Sequence, residues 1–324
     1  MSPDASLSPD PPCLPDLTDV PSPFVPLHWT ALPVFANHDR HRAGYRYVYP
    51  VASRRSGGVS IGINLNPDKV CNFGCIYCEV NRTAPGSGKF VDFDGLTTEL
   101  VSVLADAVSG AILAAPQFAA LPAAQRRIAD IGIAGDGEPT TYTNFPVVVE
   151  RIIATKRAAG MPDLPLVLIT NASRFHTTRT QTALARIVAD GGEIWAKLDA
   201  GTEGYYRAIN ATNVPFAQVL ANLALAGRQV PLVIQSCFMR VLGAGPDTAE
   251  IAAYTARLTA LRAAGANLTR VQVYTVSRPP AERFVSSLTP MEVNVIAATV
   301  RAAIPEMPVE TYYGDVEEGS EQSS

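Results

Sequence analysis

Six short runs rich in valine, isoleucine, leucine and threonine recur along the chain at 60–65, 128–134, 166–170, 193–198, 232–238 and 271–276. Between them lie longer alanine-rich stretches at 95–113, 145–159, 180–189, 216–225, 248–264 and 290–303, several opened by helix-start signals such as Thr289-Pro290 and Asn144. Strands that alternate with helices in this way pair in parallel, because a parallel pair needs a crossover long enough to return the chain to the same end of the sheet. Six such units fall short of the eight that close a full barrel, so the pattern predicts an α/β fold, a partial (β/α)6 TIM-type barrel. Residues 309–313 can add a final strand. With 324 residues, 47% of them hydrophobic, one catalytic domain is the default.

The ends differ from the middle. Residues 1–26 are rich in proline and aspartate and almost without periodic apolar residues, a composition that cannot bury enough surface to offset its ordering entropy. They read as a disordered leader, and Cys13 within it as an incidental thiol. In 27–58, Trp29, Phe35, Tyr45, Tyr47 and Tyr49 alternate with His38, Arg40, His41, Arg42 and Arg46, which predicts an N-terminal extension packed on the barrel. The barrel domain then occupies 59–313, and 314–324 is a polar acidic tail. No apolar run approaches the ~20 residues of a membrane span, and no secretory signal is visible. Five cysteines in a chain without a signal argue for thiols rather than disulfides, hence a cytoplasmic protein. A net charge of -4 gives no global attraction to nucleic acid.

In parallel α/β architectures ligands sit beyond the carboxyl ends of the strands. After the first strand comes Cys71-Asn-Phe-Gly-Cys75-Ile-Tyr-Cys78, three thiols in eight residues. Thiolates are soft ligands that select iron–sulfur clusters, zinc or Cu(I), and a four-ligand zinc or ferredoxin site lacks its fourth cysteine nearby. Three ligands on a cubane leave one iron open to a small molecule. After the second strand, Gly135-Asp136-Gly137-Glu138 offers close backbone approach and carboxylates that can accept from an ammonium, or is an ordinary turn. Asn171 follows the third strand. Lys197 and Asp199 end the fourth on one side of the strand, as an ion pair or as ligand contacts. Cys237 closes the fifth, either a buried small hydrophobe or a hydrogen-atom donor, and Arg278 follows the sixth on a loop stiffened by prolines, either in a salt bridge or reading a carboxylate or phosphate.

The cysteine loop resembles the CxxxCxΦC signature of the radical S-adenosylmethionine (SAM) superfamily, with Tyr77 in the aromatic place. Pro50-Val51, Ser53-Arg54-Arg55, Gly58, Ser60, Gly62 and Pro67 resemble the run that precedes this loop in the branch containing the tRNA wyosine-base (4-demethylwyosine) synthases. Trp195–Asp199, Tyr206–Asn210 and the Tyr274-Thr275 to Arg278-Pro279 segment are similar to the same branch. The resemblance implies a [4Fe-4S] cluster on Cys71, Cys75 and Cys78, and SAM as second cofactor. With it goes a SAM pocket formed by Tyr77, Gly135, Asp136, Gly137, Glu138, Asn171, Lys197 and Asp199; the catalytic residues are left open, with Cys237 and Arg278 as candidates from their places at the strand ends. It also implies an enzyme that abstracts hydrogen through a 5′-deoxyadenosyl radical.

Wyosine-forming relatives carry a second cluster on three upstream cysteines, where this chain has Cys13 alone, and no flavodoxin-like segment is visible. The electron is therefore expected from an external flavodoxin or ferredoxin. Arg54, Arg55 and Arg278, placed at the first-strand entrance and sixth-strand exit, favour an anionic small molecule as substrate. A tRNA is the alternative, and a non-catalytic iron–sulfur or RNA-binding module is the alternative of another class.

Overall fold

The computed structural model describes residues 44–278, 280 and 282–314. The leader, Cys13, Trp29, Phe35, His38, His41 and the tail beyond residue 314 lie outside them. Among the described residues one eight-stranded sheet runs β1-β2-β3-β4-β5-β6-β7-β8 in space as in sequence. Its strands are β1 Val48–Ser53, β2 Gly58–Ile63, β3 Ile128–Ile133, β4 Leu166–Thr170, β5 Glu193–Lys197, β6 Leu232–Cys237, β7 Leu268–Tyr274 and β8 Val309–Tyr312. From β2 onward every neighbour is parallel, joined by the helices α1 Phe93–Val108, α2 Phe145–Ala158, α3 Thr178–Ala189, α4 Glu203–Asn210, α5 Phe216–Gly227, α6 Thr248–Ala263 and α7 Pro290–Ala303. The expected partial α/β barrel is the observed fold.

Two elements near the site are among those that the sequence pattern does not announce. Residues 48–53, inside the stretch read as a packed extension, form an edge strand antiparallel to β2, in register from Val48↔Ile63 to Ser53↔Gly58. The turn between them, Arg54–Gly57, closes on Gly57 at φ 63°, a left-handed conformation that glycine adopts without strain. The other is α4, eight residues capped by Thr202 at its start and by Ala211 in the left-handed region at its end.

The sheet curls until its edges meet. Strands in a barrel are staggered, so the carboxyl end of β8 reaches the β1–β2 turn rather than the middle of β1. There the Arg54 guanidinium donates to the Tyr313 carbonyl, and the Tyr312 hydroxyl donates to the Arg55 carbonyl at 3.4 Å. The outer face of the sheet, with Ile61, Ile63, Ile131, Ile133, Ile194, Ile234, Val271 and Val273 all buried, packs against the helices and forms the core. Part of the interior is filled by a separate apolar cluster of Val167, Trp195 and Val233. Polar groups fill more of it: Arg270 pairs with Glu193 at 2.6 Å, and Gln235 bonds Gln272, which bonds Glu310. Between this filling and the cysteine loop the barrel keeps a cavity of about 290 Å³.

Candidate functional site

The loop 71–78 leaves the carboxyl end of β2 and is held from three sides. The end of α4 holds its backbone: Gly74 N–H donates to the Asn210 and Ala211 carbonyls at 3.1 and 3.2 Å, and Ile76 N–H to the Ile209 carbonyl at 3.0 Å. The loop after β4 holds Asn72, whose side chain accepts from Asn171 at 2.9 Å and donates to Ser173 at 2.8 Å. The loop after β3 is fastened by Asn64, which accepts from the Asp136 amide at 3.1 Å and donates to the Asp136 carboxylate at 2.9 Å.

All three thiols open onto one cavity, shared with Gly135, Gly137, Glu138, Thr170, Asn171 and Lys197. Each sulfur faces an N–H donor at 3.5 Å: the Phe73 amide for Cys71, the Asn210 side chain for Cys75 and the Arg82 guanidinium for Cys78. Hydrogen bonds to sulfur are among the features by which a protein tunes a thiolate-held cluster. Among the described residues no three His, Cys, Asp or Glu side chains gather as the ligands of a single metal ion would. A cubane takes each thiolate on a different iron, so its ligands ring a space instead of meeting at a point. Three thiols without a fourth cysteine nearby in sequence suit a cluster with one open iron better than a four-ligand zinc site. Burial pushes the Cys71 thiol up, and the Cys75 thiol up to about 12, so ionising them in place calls for a cation of the kind a bound metal supplies.

Glu138 is buried and binds within the chain. One carboxylate oxygen accepts from the Thr140 amide and hydroxyl and from the Thr170 hydroxyl at 2.6 Å; the other, among the described residues, accepts the Asn171 amide alone, at 2.7 Å. Burial nonetheless raises its pKa against those donors. The carboxylate therefore ties the ends of β3 and β4 together, and its second oxygen keeps room for one more donor. The glycines of this loop serve the chain itself. A Cβ on Gly135 would meet Asn64 at 2.3 Å and one on Gly137 the Val70 carbonyl at 2.3 Å, so their smallness lets the loop close on the segment before Cys71 while both line the thiol cavity.

Lys197 and Asp199 do point together and pair at 2.9 Å. The same Asp199 accepts from Tyr77 at 2.5 Å and from the Cys237 amide at 2.8 Å. Lys197 donates to the Tyr274 hydroxyl and lies over the Tyr77 and Tyr274 rings at 5.0 and 4.6 Å. Burial works to lower the lysine pKa, but Asp199 together with Tyr274 and Cys237 outweighs it and raises the pKa above the ordinary lysine value. The pair thus anchors the aromatic residue of the cysteine loop to β5 and β7. Cys237 is fully buried in the lumen wall, and burial pushes its thiol up to about 12.

Arg278 pairs with Glu79 at 2.8 Å, one residue after Cys78, and Arg54 is drawn into the seam. Arg55 differs from both. Its guanidinium stacks 4.6 Å over the Tyr274 ring, facing the lumen, with no carboxylate bonded to it among the described residues. The lumen and the thiol cavity share Tyr77, Cys78, Val80, Ala134, Gly135 and Ile169 as a common wall. Sequence reasoning missed Asn64, Asn72 and Arg82 and named Asn210 only within a segment of resemblance; Asn64, Asn72 and Asn210 act through contacts made far along the chain.

Fold and site together define a class, the partial (β/α) barrel with a three-thiol loop at the carboxyl end of its first parallel strand. No family model matches the chain. It is 27% identical over 167 residues to a GTPase Obg of Brachyspira hyodysenteriae, covering 51% of this chain and 20% of that protein. It is 31% identical over 136 residues to a UPF0026 protein of Helicobacter pylori, covering 42% of this chain and 37% of that protein. The matches therefore span 20% and 37% of the lengths of these relatives. The phosphate loop GxxxxGK[ST] does not occur in this chain, where Gly88-Lys89 is followed by Phe90. In fold the chain is similar to TYW1 with a lysine–pyruvate adduct bound, at TM-score 0.47 and 13% identity over 85% of this chain and 81% of that one. It is also similar to BtrN in complex with AdoMet and 2-DOIA, at TM-score 0.27 and 18% identity over 49% and 53%. Among the described residues no helix is long and apolar enough to cross a membrane.

Proposed function

We propose that this chain is a radical SAM enzyme that abstracts hydrogen from a small anionic molecule held in the barrel lumen. The observation that carries the reading is the ring of three thiols, each facing an N–H donor, on a cavity that shares a wall with the lumen. Cys71, Cys75 and Cys78 would hold a [4Fe-4S] cluster, which when bound and reduced supplies the electron that cleaves SAM to methionine and a 5′-deoxyadenosyl radical. The chain's own residues do the rest. Glu138, through the oxygen that accepts only one amide, and Asn171 offer polar groups to the amino-acid end of SAM. Tyr77, fixed by Asp199 and Lys197, keeps the cysteine loop from shifting as ligands enter. Arg55 presents a planar fork to an anion, a geometry that suits carboxylate and phosphate.

Anaerobic reconstitution of the full chain tests the class: four irons per chain and reductant-dependent 5′-deoxyadenosine are expected. Tetrahedral zinc with no cluster uptake would sink it. Stimulation of that product by cell extract after ribonuclease treatment supports a metabolite, whereas stimulation confined to intact tRNA replaces it with the wyosine-type substrate.

A further inference from the structure

The cysteine loop has an outer wall as well as an inner one. Outside it lies an open groove of about 1270 Å³ whose floor is the segment Cys71–Gly74 and whose far side is the loop after α4. Cys71, Phe73 and Arg82 line both this groove and the thiol cavity, so the two are one residue apart. Lys69, Arg82, Arg174 and Arg207 surround it, against Glu203 as the one carboxylate in its lining, and that is spent on Arg207 at 2.6 Å. Arg82 bonds two carbonyls and a sulfur, and Lys69 bonds the Asn81 carbonyl, so neither charge is neutralised there. In a chain of net charge -4 this is a local reversal of sign. Val70, 63% exposed, adds an apolar contact at its edge.

We infer that this groove is the docking surface for an acidic one-electron carrier protein that reduces the cluster through the Cys71 side, an inference that rests on the cluster reading above. At that step one electron leaves the carrier and enters the cluster, and no atom moves. SAM and substrate take the thiol cavity and the lumen, so the outer groove is the approach left for a second protein. Its rim charges steer an acidic surface into place. An RNA strand fits less well. Single-stranded recognition uses exposed aromatic faces for base stacking. Phe73, Tyr206 and Phe216 turn their rings on one another at 6.1 and 4.7 Å and stay buried beneath the groove.

The test is anaerobic calorimetric titration of the reconstituted full chain with a purified bacterial flavodoxin at low and at 0.3 M salt, in the native protein and in Arg174→Glu/Arg207→Glu. Expected are binding that fades with salt, at least tenfold weaker binding in the double variant, and unchanged binding in Arg262→Glu on α6. Flavodoxin-driven 5′-deoxyadenosine falls in the double variant while dithionite-driven product does not. Equal flavodoxin affinity in native and double-variant protein, or no binding at low salt, overturns the inference. So does tRNA that displaces flavodoxin and is itself lost in the double variant. Failure of dithionite to yield product defeats the cluster reading alone, because the titration still reports on docking.

Discussion

A single carboxylate, Glu138, gathers four donors from three residues, and its removal leaves buried amide and hydroxyl groups without a partner. Glu138→Ala should therefore lower the stability of the metal-free chain by roughly 2–4 kcal/mol, a figure set by stranded buried donors. Glu138→Gln should lose less, and a urea midpoint for Glu138→Ala equal to that of the native chain would refute the tie. Arg55 makes the second prediction at this scale. Arg55→Lys keeps the charge and loses the fork, so it should fail to restore binding of small carboxylates or phosphates screened by thermal shift, as Arg55→Ala also fails. Shifts equal to the native protein's in both variants would remove Arg55 from the anion site. At the level of residues the sequence disclosed positions better than reasons. The glycines at 135 and 137 stood out by their pattern, yet what they accommodate is Asn64 and Val70, and no local rule announces such a contact.

Among elements, α2 and α3 are latched by Lys156, which lies fully buried, donates to the Pro162 and Leu164 carbonyls at 2.6 and 2.7 Å, and pairs with Asp190 at 2.7 Å. Lys156→Met leaves Asp190 to Arg157 and leaves the Pro162 and Leu164 carbonyls without this donor, and should cost about 1–3 kcal/mol in urea unfolding. Burial works to raise the Asp190 pKa, but the bonds from Lys156 and Arg157 outweigh it and leave the pKa below the ordinary carboxylate value. A depressed folded-state pKa gives stability that is present above the unfolded value, near 3.9, and lost as pH falls through the folded one. The urea midpoint should thus drop below about pH 4 more steeply in the native chain than in Asp190→Asn; parallel curves would show that the pair carries no such linkage. Strands and long helices were legible because period and length are local properties. The eight residues of α4 are too few to be helical alone, and its helix rests on burying Tyr206 and Ile209 and on the Thr202 cap. β1 was hidden because the aromatic alternation of Tyr45, Tyr47 and Tyr49 suits a packed extension as well as a strand.

On the scale of the molecule, closure depends on a seam between β8 and the β1–β2 turn rather than on a continuous ladder of backbone bonds. Arg54→Ala should raise amide hydrogen exchange in β1 and β8 and leave β4 and β5 unchanged; protection that stays equal across the sheet would show that the seam bears no load. The seam also orders events in time. Among the described residues every group that hydrogen-bonds the backbone or sulfurs of the cysteine loop is in place by Thr212, although the anchor of Tyr77 runs on to Tyr274 on β7, whereas the strand that shuts the lumen begins at Val309. Roughly a hundred residues separate the two, on the order of 10 s of protein synthesis. A nascent chain thus presents a hydrogen-bonded thiol loop, not yet anchored through Tyr77 to β7, on a still-open half-barrel for several seconds, with its inner wall reachable from the side that the last strand later covers. Iron and sulfide delivered on the ribosome would meet a wider door than any the folded protein has.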